Sequence, residues 1–213
     1  MDNTDNTLKH MNLILGSTSV YRKELMQKLG LEFNCIKPLC DEEILKQQLL
    51  DAKASPLKVA ESLAMEKALS IQNTLTSQEK ISTTIIGCDQ LVDFNHQILG
   101  KPKTPDTAIK QLSLMSGKTH NLITSVAILH GEQQWTLNHI SKMVMKDLSL
   151  REITHYIEKD QPLDCAGSYK IECSGIALFK KIETDDFSAI QGLPVMWVSQ
   201  ILQEIGYALF SKK

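Results

Sequence analysis

The sequence predicts a mixed α/β fold, and three observations carry that expectation. Short apolar runs of strand type, such as 11–15 and 85–92, intermix with segments whose apolar residues recur at helical spacing, such as 56–72. Two long strand-like runs, 120–130 and 134–146, are separated by a turn at Gly131, so part of the sheet should be antiparallel. No repeat, low-complexity segment or clear linker interrupts the chain.

The elements follow in order. Residues 1–10 are polar and are expected to form a disordered tail, with one folded domain over 11–208. A buried strand at 11–15 leads into Gly16-Ser17-Thr18-Ser19, a turn whose hydroxyls suit a helix N-cap. The helix is expected over 20–29, with Leu25, Met26 and Leu29 on one face and Gly30 as its stop. A short strand is expected at 32–36, then a loop from 38 to 41 carrying the acidic run Asp41, Glu42 and Glu43. Ser55-Pro56 pairs a cap with a proline at the first helical position and opens a helix to about 72. The apolar strand 84–94 turns at Asn95-His96 and returns through 98–100 to present Lys101, held extended by Pro102. A helix from 104 stops at Gly117; the two long strands, a helix at 149–158, a turn-rich loop at 162–169, a strand at 175–182 and a last helix from Leu193-Pro194 to about 206 complete the chain.

Bulk properties exclude several classes. The 213 residues bury about 70% of the surface the unfolded chain exposes. A net charge of -2 gives no reason to expect nucleic-acid binding. Five cysteines at 35, 40, 88, 165 and 173 form no Cys-x-x-Cys pair, which favours free thiols in a reducing compartment over a disulfide framework. The six histidines show no ligand spacing, so a zinc site is not expected. No run is apolar enough to span a membrane or act as a signal peptide, and the expected location is the cytoplasm.

The candidate chemistry lies in four places. A strand, a small-residue turn and a helix start gather backbone N–H groups at the positive end of a helix dipole; Ser17 and Ser19 add hydroxyls, and Arg22 adds a forked cation suited to phosphate. An ordinary capped helix has the same appearance. Asp41, Glu42 and Glu43 read as a solvated acidic loop, or beside a phosphate cradle as carboxylates for Mg²⁺. Asp89 interrupts a run otherwise suited to burial, and a carboxylate there needs a partner or a metal. Lys67 and Lys101 are either surface lysines or cations aimed at the same cleft.

Together these residues resemble the Maf family of nucleotide pyrophosphatases. The family pattern runs Ser-x-Ser-Pro-Arg-Arg, Asp-Glu, Glu-Lys-Ala, Ala/Ser-Asp-Gln, Gly-Lys-Pro, Ser-Gly-Lys, Ala-Gly-Ser/Ala and Gly-Leu-Pro. The chain has Ser17-Thr18-Ser19 and Arg22, Asp41-Glu42, Glu66-Lys67-Ala68, Cys88-Asp89-Gln90, Gly100-Lys101-Pro102, Ser116-Gly117-Lys118, Ala166-Gly167-Ser168 and Gly192-Leu193-Pro194 in the same order. The 162–170 segment and Tyr21 are most similar to the 7-methyl-GTP pyrophosphatase branch. Val20 departs from the family's proline, and Tyr21 stands where this branch usually has an indole.

The resemblance implies a two-lobed Maf/ITPase-like fold with a central cleft, in a family whose members are often dimeric. It implies hydrolysis of a nucleoside triphosphate to monophosphate and pyrophosphate with a divalent metal, Mg²⁺ or Mn²⁺. Carried over, Asp89 is the proton acceptor and Ser17, Ser19, Arg22, Lys67, Gln90 and Lys101 bind substrate. Glu42, Asp89 and Asp41 hold the metal, and Tyr21, Gln90 and Glu172 tune base choice. Two alternatives stay open: the dTTP/UTP-directed branch of the family, and a non-catalytic nucleotide-binding regulator of septum formation. The nucleotide is the only partner implied beyond a second copy of the chain.

Overall fold

A computed structural model describes residues 11–210; the tail expected over 1–10 lies outside them. A seven-stranded mixed sheet forms the centre. Its strands are β1 (Asn12–Gly16), β2 (Asn34–Cys35), β3 (Thr83–Phe94), β4 (Gln97–Leu99), β5 (Thr119–His130), β6 (Gln133–Met145) and β7 (Phe179–Glu183). The order is β2-β1-β3-β5-β6-β7, with β4 paired to β3. β1 runs parallel to β2 and β3, and every other pairing is antiparallel. The parallel pairs require crossovers. These are supplied by α1 (Val20–Gln27), then by α2 (Glu42–Asp51), α3 (Pro56–Gln72) and α4 (Ser77–Ser82). The helices α5 (Pro105–Met115), α6 (Leu150–Asp160), α7 (Phe187–Ile190) and α8 (Val195–Ile205) complete the layers.

The apolar core divides along the length of β3. Ile86 and Cys88 pack with Leu13, Leu15, Leu25, Met26 and α8 residues Val198 and Leu202 at one end. Val92 and Phe94 pack with Leu112, Met115, Met143, Ile153 and Phe179 at the other. Asp89 and Gln90 lie between the two clusters on β3. Their side chains therefore reach a cleft rather than a core.

Two local features aim that stretch. Gly87 has no side chain, and a Cβ there would meet Ala64 O at 2.2 Å and Ala68 N at 2.7 Å. The absence of a Cβ lets α3 lie directly on β3, with Lys67 one residue before Ala68 and Asp89 two after Gly87. Past the strand, Asn95 (φ 52) and His96 (φ 64) both turn through left-handed backbone, the geometry of a two-residue hairpin that matches strand twist. Asp93 Oδ1 accepts from His96 N at 2.8 Å and fixes the turn.

Several expected elements differ in detail. The acidic residues at 41–43 begin helix α2 instead of sitting in a loop, because Asp41 caps Ile44 N at 3.0 Å. That helix has no fully buried residue; only Leu45 and Leu49 lean on the core, so its periodicity is faint. Residues 174–178 form a 3-10 turn before β7 rather than the start of the strand, since Gly175 folds back onto Lys170 with its N donating to Lys170 O at 3.0 Å. The short helices α4 and α7 were not expected from the pattern.

His120 is buried at 3% exposure, with Nε2 3.0 Å from Tyr169 Oη and, among the described residues, no partner for Nδ1. Burial lowers its pKa from 6.5 to about 4. The folded state then resists protonation, so stability is full above the unfolded value and is lost as pH falls from it towards the folded one. Urea unfolding is expected to show a loss of about 2 kcal/mol between about pH 7 and 5, absent in His120→Phe. Gly87→Ala is expected to cost about 1–3 kcal/mol in the same measurement by forcing α3 off the strand.

Candidate active site

A cleft of about 820 Å³ opens beside this stretch of β3. It is lined by Ser17, Ser19, Tyr21 and Arg22 from the first turn and helix, Glu42 from α2, and Lys67 from α3. Asp89 and Gln90 of β3, Lys101 after β4, and Glu172 line it as well. The early serine-arginine corner and the mid-chain acid-lysine ribbon thus face one space. Asp41 is not among the lining residues; its carboxylate is engaged in capping α2.

Lys67 is the centre of charge. Its ammonium is buried, 2.7 Å from Asp89 Oδ1 and 2.9 Å from Glu42 Oε2. Burial pulls its pKa down, but attraction to Asp89, aided by Glu42, outweighs both this and repulsion from Arg22, and the net shift is upward. Among the described residues, no hydrogen bond or ion pair engages the second oxygen of either carboxylate.

Arg22 is placed differently from the free fork that the sequence suggests. Its Nε donates to Gly192 O at 3.0 Å and its Nη1 to Cys88 O at 2.8 Å. The guanidinium therefore staples α1 to β3 and to the turn before α8 while one face lines the cleft. The Cys88 thiol donates to the same Gly192 carbonyl at 2.9 Å. Gln90 continues the staple. Its Nε2 shares two hydrogens among three acceptors, Thr124 Oγ1, Ala189 O and Ile190 O at 2.9, 3.0 and 3.2 Å. Asp186 caps both following helices, accepting from Ser188 N at 2.9 Å and Met196 N at 3.0 Å. Ser17 Oγ accepts from Ser19 N at 3.1 Å, and Ser19 caps α1 at Arg22 N.

Tyr21 and Glu172 share a second neighbourhood with Asp164. Burial first, then the nearby Cys165 and Glu172, raises the Tyr21 hydroxyl to about 12, so it stays neutral. The Glu172 carboxyl is raised by desolvation and by the charges of Glu24 and Asp164, against the pull of Lys170. Lys101 is exposed on the rim, with no ion-pair partner within 4 Å among the described residues. Lys37, Lys46 and Asp164 also line the cleft, and no local motif in the chain marks them. Lys46 stands four residues after Glu42, a spacing visible only once a helix is placed there.

Among the described residues, no group of three or more His, Cys, Asp or Glu side chains is arranged to hold a metal ion alone. Glu42 and Asp89 supply two carboxylates on one face of the cleft. Two carboxylates are a donor set that would suit a hard divalent ion, with substrate phosphate and water as its other ligands.

Such a fold and cleft define an α/β protein with a mixed-charge site for a small polyanionic ligand. The chain belongs to the Maf family: the family profile described as Maf-like protein matches residues 12–205. The 7-methyl-GTP pyrophosphatase of Bdellovibrio bacteriovorus is 45% identical, covering 90% of this chain and 95% of its own. Those of Colwellia psychrerythraea and Xanthomonas axonopodis are each 36% identical, covering 94% and 92% of this chain. The Ham1 protein of Staphylococcus aureus overlaps at a TM-score of 0.46 and 10% identity over 91% of this chain and 99% of its own. No helix among the described residues is long and apolar enough to cross a membrane.

Arg22→Met is expected to lower stability by about 2 kcal/mol, since two backbone carbonyls lose a charged donor. Faster amide exchange at 189–193 than in the rest of the chain would locate the loss at the staple.

Proposed function

We propose that this protein is a nucleoside triphosphate pyrophosphatase that hydrolyses 7-methyl-GTP to 7-methyl-GMP and pyrophosphate, with Mg²⁺ or Mn²⁺. The observation that carries the reaction is the Lys67-centred triad with Asp89 and Glu42 inside the cleft. The names of the similar proteins support the same reading. The five unpaired cysteines fit action in a reducing cytoplasm.

Each residue has a defined task. Lys67 holds one oxygen of Asp89, leaving the other to orient a water and take its proton. The same ammonium is also held by Glu42 Oε2, at 2.9 Å. Glu42 and Asp89 would hold the divalent ion, which when bound would supply positive charge to the phosphate oxygens. Lys101 and the open side of Arg22 face the polyphosphate, and charge developing on the leaving pyrophosphate is stabilised by cations already in place. Ser17 and Ser19 close the helix-start cradle.

Base preference follows from the second neighbourhood. N7-methylation makes guanine cationic. A cation over the Tyr21 ring gains about 0.5–2 kcal/mol. Glu172 accepts from the guanine edge, and its crowding by Glu24 and Asp164 is relieved by a positive base. A neutral base brings no such relief.

A panel of 7-methyl-GTP, GTP, dTTP, UTP and CTP at equal concentration with Mg²⁺ is expected to show fastest pyrophosphate release from 7-methyl-GTP. Equal rates across the panel would remove the base assignment. Asp89→Asn is expected to lower kcat by about 10²–10⁴ with the fold intact, and wild-type turnover would exclude Asp89 as the base. Glu172→Gln is expected to narrow the ratio of 7-methyl-GTP to GTP turnover. Because the Glu172 carboxyl is raised, that ratio in the wild type should also fall as pH is lowered, before an ordinary glutamate would titrate.

A further inference from the structure

The cations usually sought for a polyphosphate are already committed here. Lys67 is held by Asp89 and Glu42, and two of Arg22's nitrogens are held by backbone carbonyls. A nucleoside triphosphate carries about four negative charges at neutral pH. Other cations must meet it. Lys46 has the position to do so. It lies on α2, lines the cleft, and is half-buried. Its Nζ is 3.4 Å from the point a Cβ on Gly100 would occupy, which places it beside the residue that precedes Lys101.

The expected partner of Lys46 is missing for a visible reason. Glu42, four residues earlier on the same helix, is the natural acid for an i,i+4 pair. Its carboxylate turns instead to Lys67 at 2.9 Å. No carboxylate lies within 4 Å of Lys46 Nζ among the described residues. A half-buried ammonium with no counter-ion, on the same rim as the exposed Lys101, repels its neighbour until an anion lies between them.

Resting on the pyrophosphatase reading above, we infer that Lys46 and Lys101 form a two-lysine clamp on one rim of the cleft for the terminal phosphates, the part of the substrate that leaves as pyrophosphate. α2 and the β3–β4 hairpin thereby share one ligand. Lys46 touches the leaving group and not the base, so it acts on every triphosphate alike.

The test is direct binding of inorganic pyrophosphate with Mg²⁺, measured calorimetrically on the intact protein. Lys46→Gln is expected to weaken binding about tenfold, as loss of one charged hydrogen bond does. Lys46→Arg is expected to retain most of the affinity. Lys53→Gln, on the exposed residue beyond the end of α2, removes the same charge outside the cleft and is expected to bind as wild type does. In turnover, Lys46→Gln should raise KM for 7-methyl-GTP and GTP by the same factor.

Unchanged pyrophosphate affinity in Lys46→Gln, an equal loss in Lys53→Gln, or no pyrophosphate binding by the wild type would overturn the clamp. A wild type that binds pyrophosphate through Lys46 yet hydrolyses no nucleotide would overturn the activity and leave the clamp standing. Normal hydrolysis with unchanged Lys46→Gln affinity would do the reverse.

Discussion

The buried ammonium of Lys67 is the interaction on which the site depends. A lysine at 6% exposure is expensive unless its charge is met within the protein. Here it is met twice, by Asp89 and Glu42. The requirement works in both directions. Removing either acid leaves a cation without a full complement in low dielectric, and removing the lysine leaves two carboxylates facing each other. The arrangement exists because Gly87 lets α3 approach β3 to backbone contact. Any side chain at that position would push Lys67 away from the strand. Packing and charge are thus one constraint.

Around that centre the molecule uses polar groups as struts. Arg22, Gln90 and the Cys88 thiol all donate to the carbonyls of the 88–90 and 189–192 segments. The turn before α8 is far away in sequence, yet it becomes part of the cleft wall through these bonds. A cation and an amide that line the cleft and also bond to backbone carbonyls hold the wall in place. Such preorganisation lowers the reorganisation a charged substrate would otherwise demand.

The cleft also sorts charge. Lysines gather where α2 meets the β3–β4 hairpin, while acids gather around Tyr21. On the proposed reading, a ligand with a positive head and a polyanionic tail matches both regions at once, and an unmodified nucleotide matches only one. The difference is electrostatic, so it needs no large change of shape to separate the two.

Much of this was legible in the chain. The strand run of β3 with its interrupting Asp89, the Asn95-His96 turn and the Ser19 and Ser55 caps each follow from local chemistry: period, left-handed backbone and orphan N–H groups. The order of short motifs sufficed to recognise the family. Local chemistry did not reveal α2, because a helix that buries no residue fully leaves almost no apolar period to read. Nor did it reveal what each charge is bonded to. Asp41 read as a metal ligand and stands as a cap; Arg22 read as a phosphate fork and stands partly as a staple. Those partners are 3 to 170 residues away in the chain. Sequence fixes which groups are available to donate and accept. Only packing brings a particular carbonyl or carboxylate within 3 Å of a particular cation, because that distance is the sum of every helix and strand placed between them.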